Sequence, residues 1–180
     1  MYRLAPLVLA ASVAAAPSVG AQQQTMVPPA APTIGASGGF GGGIALPVGR
    51  LSETHAAGYS LEGLIDFSAA DQPYSFRLEF IYQRYDRKTT TPAATGNMNL
   101  TSLGGSLLAR RPKGQSSAFM LTGIAVYRLT GEGSKPGANF GFGLEVPLTF
   151  FVGIADLRVH YILTEGKPIV AIPITLGARF

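Results

Sequence analysis

Three side chains in one short run have the types and spacing for acid–base chemistry. Asp156, Arg158 and His160 alternate through FVGIADLRVHYI at 151–162, so an extended chain places them on one face. A histidine close to a carboxylate is a common general acid–base arrangement. The same three residues fit an ion pair packed beside an imidazole in a closed interior, which needs no chemistry. The second histidine, His55, has Glu53 nearby and no further carboxylate arrangement. Two histidines without a cysteine make a poor ligand set for a metal, so neither a metal nor another cofactor is expected. GGFGGG at 38–43 is followed by no Lys-Ser/Thr pair and opens no helical pattern, which excludes a phosphate-binding loop. Arg84, Arg87 and Lys88 form a cationic cluster that could meet phosphate groups. Solvated loop charge is the plainer reading of the same three residues.

The elements that must carry these residues are strands. From residue 38 onward the chain breaks into eight short runs that alternate with a period of two, separated by turn residues. In 151–162, Phe151, Gly153, Ala155, Leu157, Val159 and Tyr161 oppose Val152, Ile154, Asp156, Arg158 and His160. In YSFRLEFIYQ, Phe76, Leu78, Phe80 and Tyr82 oppose Ser75, Arg77, Glu79 and Gln83. In YSLEGLIDF, Leu61, Gly63, Ile65 and Phe67 oppose Ser60, Glu62, Leu64 and Asp66. In NFGFGLEV, Phe140, Phe142, Leu144 and Val146 oppose Asn139, Gly141, Gly143 and Glu145. The runs at 40–48 and 169–180 alternate large with small residues. Those at 99–110 and 117–129 are blurred enough to admit a bulge. Pro47 and Pro173 lack a ladder donor, which predicts a local bulge or break at each. Short turns are expected at 69–73, 111–115 and 147–150, and outer loops at 50–56, 86–97, 130–139 and 163–167. The middle two of these loops are the longest.

The N-terminus sets the compartment. Arg3, an apolar stretch over 4–13 and the small residues Val19-Gly20-Ala21 make a secretory signal over 1–21. Residues 22–37, polar and then rich in Pro and Ala, read as a flexible periplasmic lead-in to a domain at 38–180. No later stretch of 18 apolar residues exists for a membrane helix. The net charge of +4 is mild and scattered, so a nucleic-acid partner is not expected. Charged residues make up 13% of the chain, about half the share usual in soluble domains. Lys88, Lys113, Lys135 and Lys167 all fall in expected turns or loops.

Charge on the polar faces is nearly balanced. Glu62, Asp66, Glu79, Glu145 and Asp156 stand against Arg77, Arg158 and Arg179, with His160 beside them and Arg110 and Arg128 as further candidates. An unpaired buried charge costs several kcal/mol, so a matched set of this kind predicts an ion-pair network inside a narrow barrel. A membrane protein without a spanning helix must close its strands into a ring, because lipid offers unpaired backbone groups no partner.

The C-terminus IPITLGARF resembles the last strand of bacterial outer-membrane barrels, with Phe180 at the end and Ile172, Ile174, Leu176 and Ala178 at every second position before it. Together with GFGLEVPL and FFVGIADLRVHY it is similar to small outer-membrane β-barrel domains of the OmpA/OmpX type. The resemblance spans about residues 38–180. It implies an all-β, eight-stranded, antiparallel, up-and-down transmembrane barrel in the cell outer membrane, with lipid and lipopolysaccharide as surroundings. It also implies that Ile172, Ile174, Leu176 and Phe180 are read by the outer-membrane assembly machinery. Some similar barrels modify lipid A, but their His-x-Ser pattern would need serine where Ile162 stands. The expectation is a monomeric, non-enzymatic barrel with a charge-paired lumen and a structural or surface-interaction role. A narrow ion or solute channel, a lipid A-modifying enzyme and a soluble lipocalin-like binder are the alternatives.

Overall fold

The structure is a computed structural model that describes residues 33–69, 72–89, 96–113 and 116–180. The expected signal at 1–21 lies outside the described residues, as do the tips of several turns. Eight strands follow one another: β1 (Ile34–Val48), β2 (Gly58–Ala69), β3 (Tyr74–Tyr85), β4 (Met98–Lys113), β5 (Ser116–Leu129), β6 (Gly133–Pro147), β7 (Val152–Ile162) and β8 (Ile169–Arg179). Each pairs antiparallel with the next, and β1 pairs with β8 to close the barrel. A short helix, α1 (Arg50–Thr54), sits between β1 and β2. The short connections lie at one end of the barrel, which we call the periplasmic end after the asymmetry expected of an outer-membrane barrel. α1 lies at the other end, which we call extracellular on the same expectation.

Five local expectations are corrected. β1 begins at Ile34 rather than 38, because Ile34–Gly38 already pairs with Ile65–Ala69 of β2. The third outer connection shrinks to 130–132, since β6 starts at Gly133 and pairs residue by residue with β5 up to Leu129. Gly133, Gly137 and Pro136 read as loop residues, but they sit in the ladder. Lys135 consequently belongs to β6, and Lys113, expected in the 111–115 turn, belongs to β4, which pairs with β5 as far as Lys113↔Ser116. The β4–β5 register is continuous from Leu100↔Leu129 to Lys113↔Ser116, so no bulge is present there. Pro47 likewise leaves the β1–β8 ladder intact, whereas the β7–β8 ladder skips from Leu157↔Ile174 to His160↔Ala171 around Pro173. A missing N–H at Pro173 accounts for that gap.

Burial is inverted relative to a soluble protein. Arg77 and Arg158 are 0% exposed, whereas Ile124 is 75% and Leu103 66% exposed. Outward positions of every strand are apolar through the middle of the barrel: Phe40, Leu61, Phe76, Leu107, Met120, Phe140, Leu157 and Leu176, with Leu157 the least exposed. Soluble monomers rarely expose patches of this extent. A continuous apolar belt around a closed ring is what a bilayer requires. Inside, two apolar clusters share the bore with the charges. Leu64, Leu108, Phe119, Leu121 and Ile154 form the cluster nearer the periplasm. Tyr85, Leu100, Tyr127, Leu129, Ile162 and Ile169, with Leu51 from α1, make a collar at the extracellular end.

Candidate functional site

The pleat of eight strands turns the polar residue of each alternating pair into a lumen that eight strands leave just wide enough for side chains. Two ionic clusters fill it. In the one nearer the periplasm, Arg77 donates to both oxygens of Asp66, Nε to Oδ1 at 2.6 Å and Nη2 to Oδ2 at 3.0 Å. Arg110 and Arg179 donate to the same Asp66 Oδ2 at 2.9 and 2.6 Å. Both also reach Glu145 Oε2, at 3.0 and 3.2 Å. Arg110 further donates to Ser75 Oγ. The Arg77 guanidinium lies 5.5 Å from the Phe119 ring centre, a cation–π contact with the apolar cluster beside it.

The second cluster turns on Arg158. Its Nη2 donates to Asp156 Oδ2 at 2.5 Å and lies 3.2 Å from Glu62 Oε2; its Nη1 donates to Glu79. The free carboxylate oxygens are served by neutral donors. Ser106 Oγ and Asn139 Nδ2 donate to Glu79 Oε1 at 3.1 and 3.2 Å, and Thr175 Oγ1 donates to Asp156 Oδ1 at 3.1 Å. Arg77 Nη1 stands 3.9 Å from Asp156, close enough for attraction and too far for a hydrogen bond. That nitrogen, Ser60 Oγ, Gln83 Nε2 and His160 Nε2 are buried with no hydrogen-bond partner among the described residues.

His160 does not meet Asp156. Its Nδ1 lies 2.8 Å from the Tyr127 hydroxyl, with the two rings edge to face, while Arg158 and Thr175 take the Asp156 carboxylate. At 0% exposure the ring has no access to a substrate in solution or lipid. His55 instead laces loops together, through Thr54 Oγ1 at 2.8 Å and the Gly96 carbonyl at 3.3 Å. No cluster of three metal-ligating side chains occurs among the described residues.

Other residues read from the sequence separate. Arg128 points outward from β5 and is absent from the lumen, because it shares the parity of Val126 and Ile124. The cationic group at 84–88 splits three ways. Arg84 faces outward, 3.9 Å from Asp86; Arg87 is exposed in a bridge to His55; Lys88 Nζ turns in to the Ser52 carbonyl. Ile172, Ile174, Leu176 and Phe180 line the outward face of β8, and the Phe180 ring lies 6.0 Å from both Phe40 and Phe151 across the barrel's closing seam. The sequence places Ser75 and Asn139 on polar faces without giving them a role, and it singles out neither Ser106 and Thr175 nor the collar. Their inward parity is the signal that could have found them.

Charge loss at the periplasmic cluster is testable. Asp66→Asn keeps the shape but leaves three guanidinium groups without their shared carboxylate. Because Arg110 and Arg179 are 15% exposed toward the barrel mouth, solvent offsets part of the cost, and a loss of about 2 kcal/mol is expected. Urea unfolding of the refolded protein would measure it, and an unchanged midpoint would remove Asp66 from the network.

A closed antiparallel ring, apolar outside and ionic inside, defines an eight-stranded membrane-spanning β-barrel. No protein-family model matches the chain, and no curated protein matches it. Solved structures do. Neisserial surface protein A aligns over 82% of this chain and 97% of its own at 15% identity, with a TM-score of 0.62. The N-terminal β-barrel domain of Pseudomonas aeruginosa OprF aligns over 81% and 97% at 18% identity, TM-score 0.49. Ail of Yersinia pestis in a phospholipid nanodisc aligns over 81% and 100% at 15% identity, also 0.49. Identity this low establishes the fold alone: that of the small outer-membrane β-barrels.

Proposed function

We propose that this chain is a monomeric, non-enzymatic barrel of the cell outer membrane whose lumen is held shut by paired charges, with a structural or surface-interaction role. One observation carries the reading. Arg158 and its three carboxylates occupy the bore, and the apolar collar with Leu51 covers its extracellular end. A conducting path would have to displace both. The expected export signal at 1–21 and the outer-membrane character of the matching folds support the location. The outward row Ile172, Ile174, Leu176 and Phe180 supports recognition by the outer-membrane assembly machinery, and the outward-facing cations at the extracellular rim support contact with lipopolysaccharide.

Recordings from the purified, refolded protein in planar bilayers test this reading. The expected result is a membrane with no steady conductance; reproducible unitary steps would establish the narrow-channel alternative instead.

A further inference from the structure

The register of β4, β5 and β6 stacks three outward rows at the extracellular end of the barrel. Thr101, Arg128 and Ser134 are cross-strand partners and form the uppermost row. Leu103, Val126 and Pro136 form the row below, and Ile124, Ala138 and Tyr161 the next. Small side chains floor the space between Leu103, Ile124 and Val126 on one side and Tyr161 and Leu163 on the other. The result is an apolar groove of about 680 Å³ along Gly137 and Ala138, open to the lipid.

Arg128 stands in the row directly above this groove. It is exposed and has no carboxylate partner among the described residues. Its strand neighbours on both sides carry hydroxyls, so the row offers a guanidinium fork flanked by two neutral donors. An arginine costs about 2–4 kcal/mol on the lipid face at mid-bilayer and about 0–1 near the interface. Its position one turn of the pleat above the apolar rows is therefore tolerable, and it is useful where lipid phosphates lie.

A second cation stands on the same arc. Arg84 of β3 pairs with Asn99 of β4, two residues above Thr101. Two strand spacings and two residues along the chain set Arg84 and Arg128 roughly 12 Å apart at the backbone. Tyr59 and Tyr82 pack beside them with rings 6.0 Å apart, and the Tyr82 hydroxyl donates to Asn99 Oδ1 at 3.1 Å. Farther round the ring, at the extracellular ends of β8 and β1, the outward cross-strand pair is Val170 and Val48, neither of them charged. The cations thus mark a local site and not a uniform girdle.

We infer that this arc binds lipid A, the doubly phosphorylated and multiply acylated disaccharide lipid of the outer leaflet. One acyl chain lies in the groove over Gly137 and Ala138, one phosphate is held by Arg128 with Thr101 and Ser134, and the second reaches Arg84. Two separated cations match a headgroup with a phosphate at each end better than a single-phosphate glycerolipid. The inference rests on the outer-membrane reading above and narrows its lipopolysaccharide contact to one site and to the lipid A part.

Native mass spectrometry of the refolded protein in mixed micelles, with equal diphosphoryl lipid A, monophosphoryl lipid A, phosphatidylglycerol and phosphatidylcholine, tests the site. Preferential retention of diphosphoryl lipid A is expected. Arg128→Gln should weaken it about tenfold, the effect of losing one charge-assisted contact, and Ala138→Leu should weaken it by filling the groove with the cations intact. Arg111→Gln, exposed at the opposite end of the barrel, should leave retention unchanged. Equal retention of phosphatidylglycerol would show only a general lipid annulus and overturn the inference, as would full retention by both Arg128→Gln and Ala138→Leu. Either result in a protein that still inserts and shows heat-modifiable migration leaves the outer-membrane reading standing. Failure to insert into bilayers would overturn that reading instead.

Discussion

Arg158→Met is expected to lower the stability of the refolded barrel by about 3–5 kcal/mol, the usual consequence of removing one partner from a buried ionic cluster. The Arg158 guanidinium is fully buried and faces Asp156, Glu79 and Glu62 at once. Without it three carboxylates converge in a narrow space, and only Ser106, Asn139, Thr175 and the more distant Arg77 remain to offset them. Methionine fills similar volume, so the loss reports charge and not a cavity. A companion variant sharpens the attribution. Combining Arg158→Met with Glu62→Gln, Glu79→Gln and Asp156→Asn removes the unpaired charge and should recover most of the lost stability, since neutral replacement of a whole buried network is often nearly free. Urea titrations of the protein in lipid vesicles would show both. A single variant within about 1 kcal/mol of wild type would mean the cluster is not the packed interior described here.

Gly43→Val is expected to abolish the folded form. Gly43 sits in β1 opposite Thr175 of β8, the pair of strands that closes the ring. A Cβ there would lie 1.9 Å from the Ile174 carbonyl oxygen and 2.8 Å from the Thr175 Cα. Both are backbone atoms held by the ladder, so no rotamer change relieves the clash. The cost therefore falls on closure itself, and an unclosed barrel exposes two strand edges that lipid cannot satisfy. Gly63→Val provides the contrast, because a Cβ at Gly63 meets nothing within 4 Å. That variant should refold like wild type, with a change of roughly 0.5 kcal/mol or less. The ratio of heat-modifiable to unfolded species in gels reads the difference directly; a Gly43→Val protein that migrates as a folded barrel would show that the β1–β8 approach is looser than described.

What the sequence made legible follows from which residues alternate cleanly. β2, β3, β6 and β7 carry charged or polar residues on one parity and large apolar ones on the other, so their faces can be assigned without a partner strand. β5 blurs this because Gly123 and Ala125 interrupt the contrast, and Arg128 near its end carries a charge on the lipid side. Only the paired register shows that Arg128 continues the outward row of Val126. The upper half of β6 was read as loop for a related reason. Gly133, Ser134, Pro136 and Gly137 have turn chemistry, yet at Gly137 a Cβ would come within 2.5 Å of the Tyr161 carbonyl, so glycine is there to let β6 approach β7. The lumen partners were less legible still. Parity places Glu79 and Arg158 on inward faces, but nothing local to either strand says that they meet across the bore while Asp66 gathers three arginines.

The inward and outward assignment of the strands can be read in one labelling experiment, because the chain has no cysteine. Single cysteines at Ile124, outward at mid-barrel, at Ser106 in the lumen and at Glu165 in an outer loop would be placed in the refolded protein in vesicles containing brominated lipid. Glu165→Cys should react quickly with an aqueous maleimide, whereas Ile124→Cys and Ser106→Cys should not. A fluorophore attached to Ile124→Cys before refolding should then be quenched by the bromines. Rapid aqueous labelling of Ile124→Cys with no quenching would place that face in water and contradict a membrane-spanning barrel.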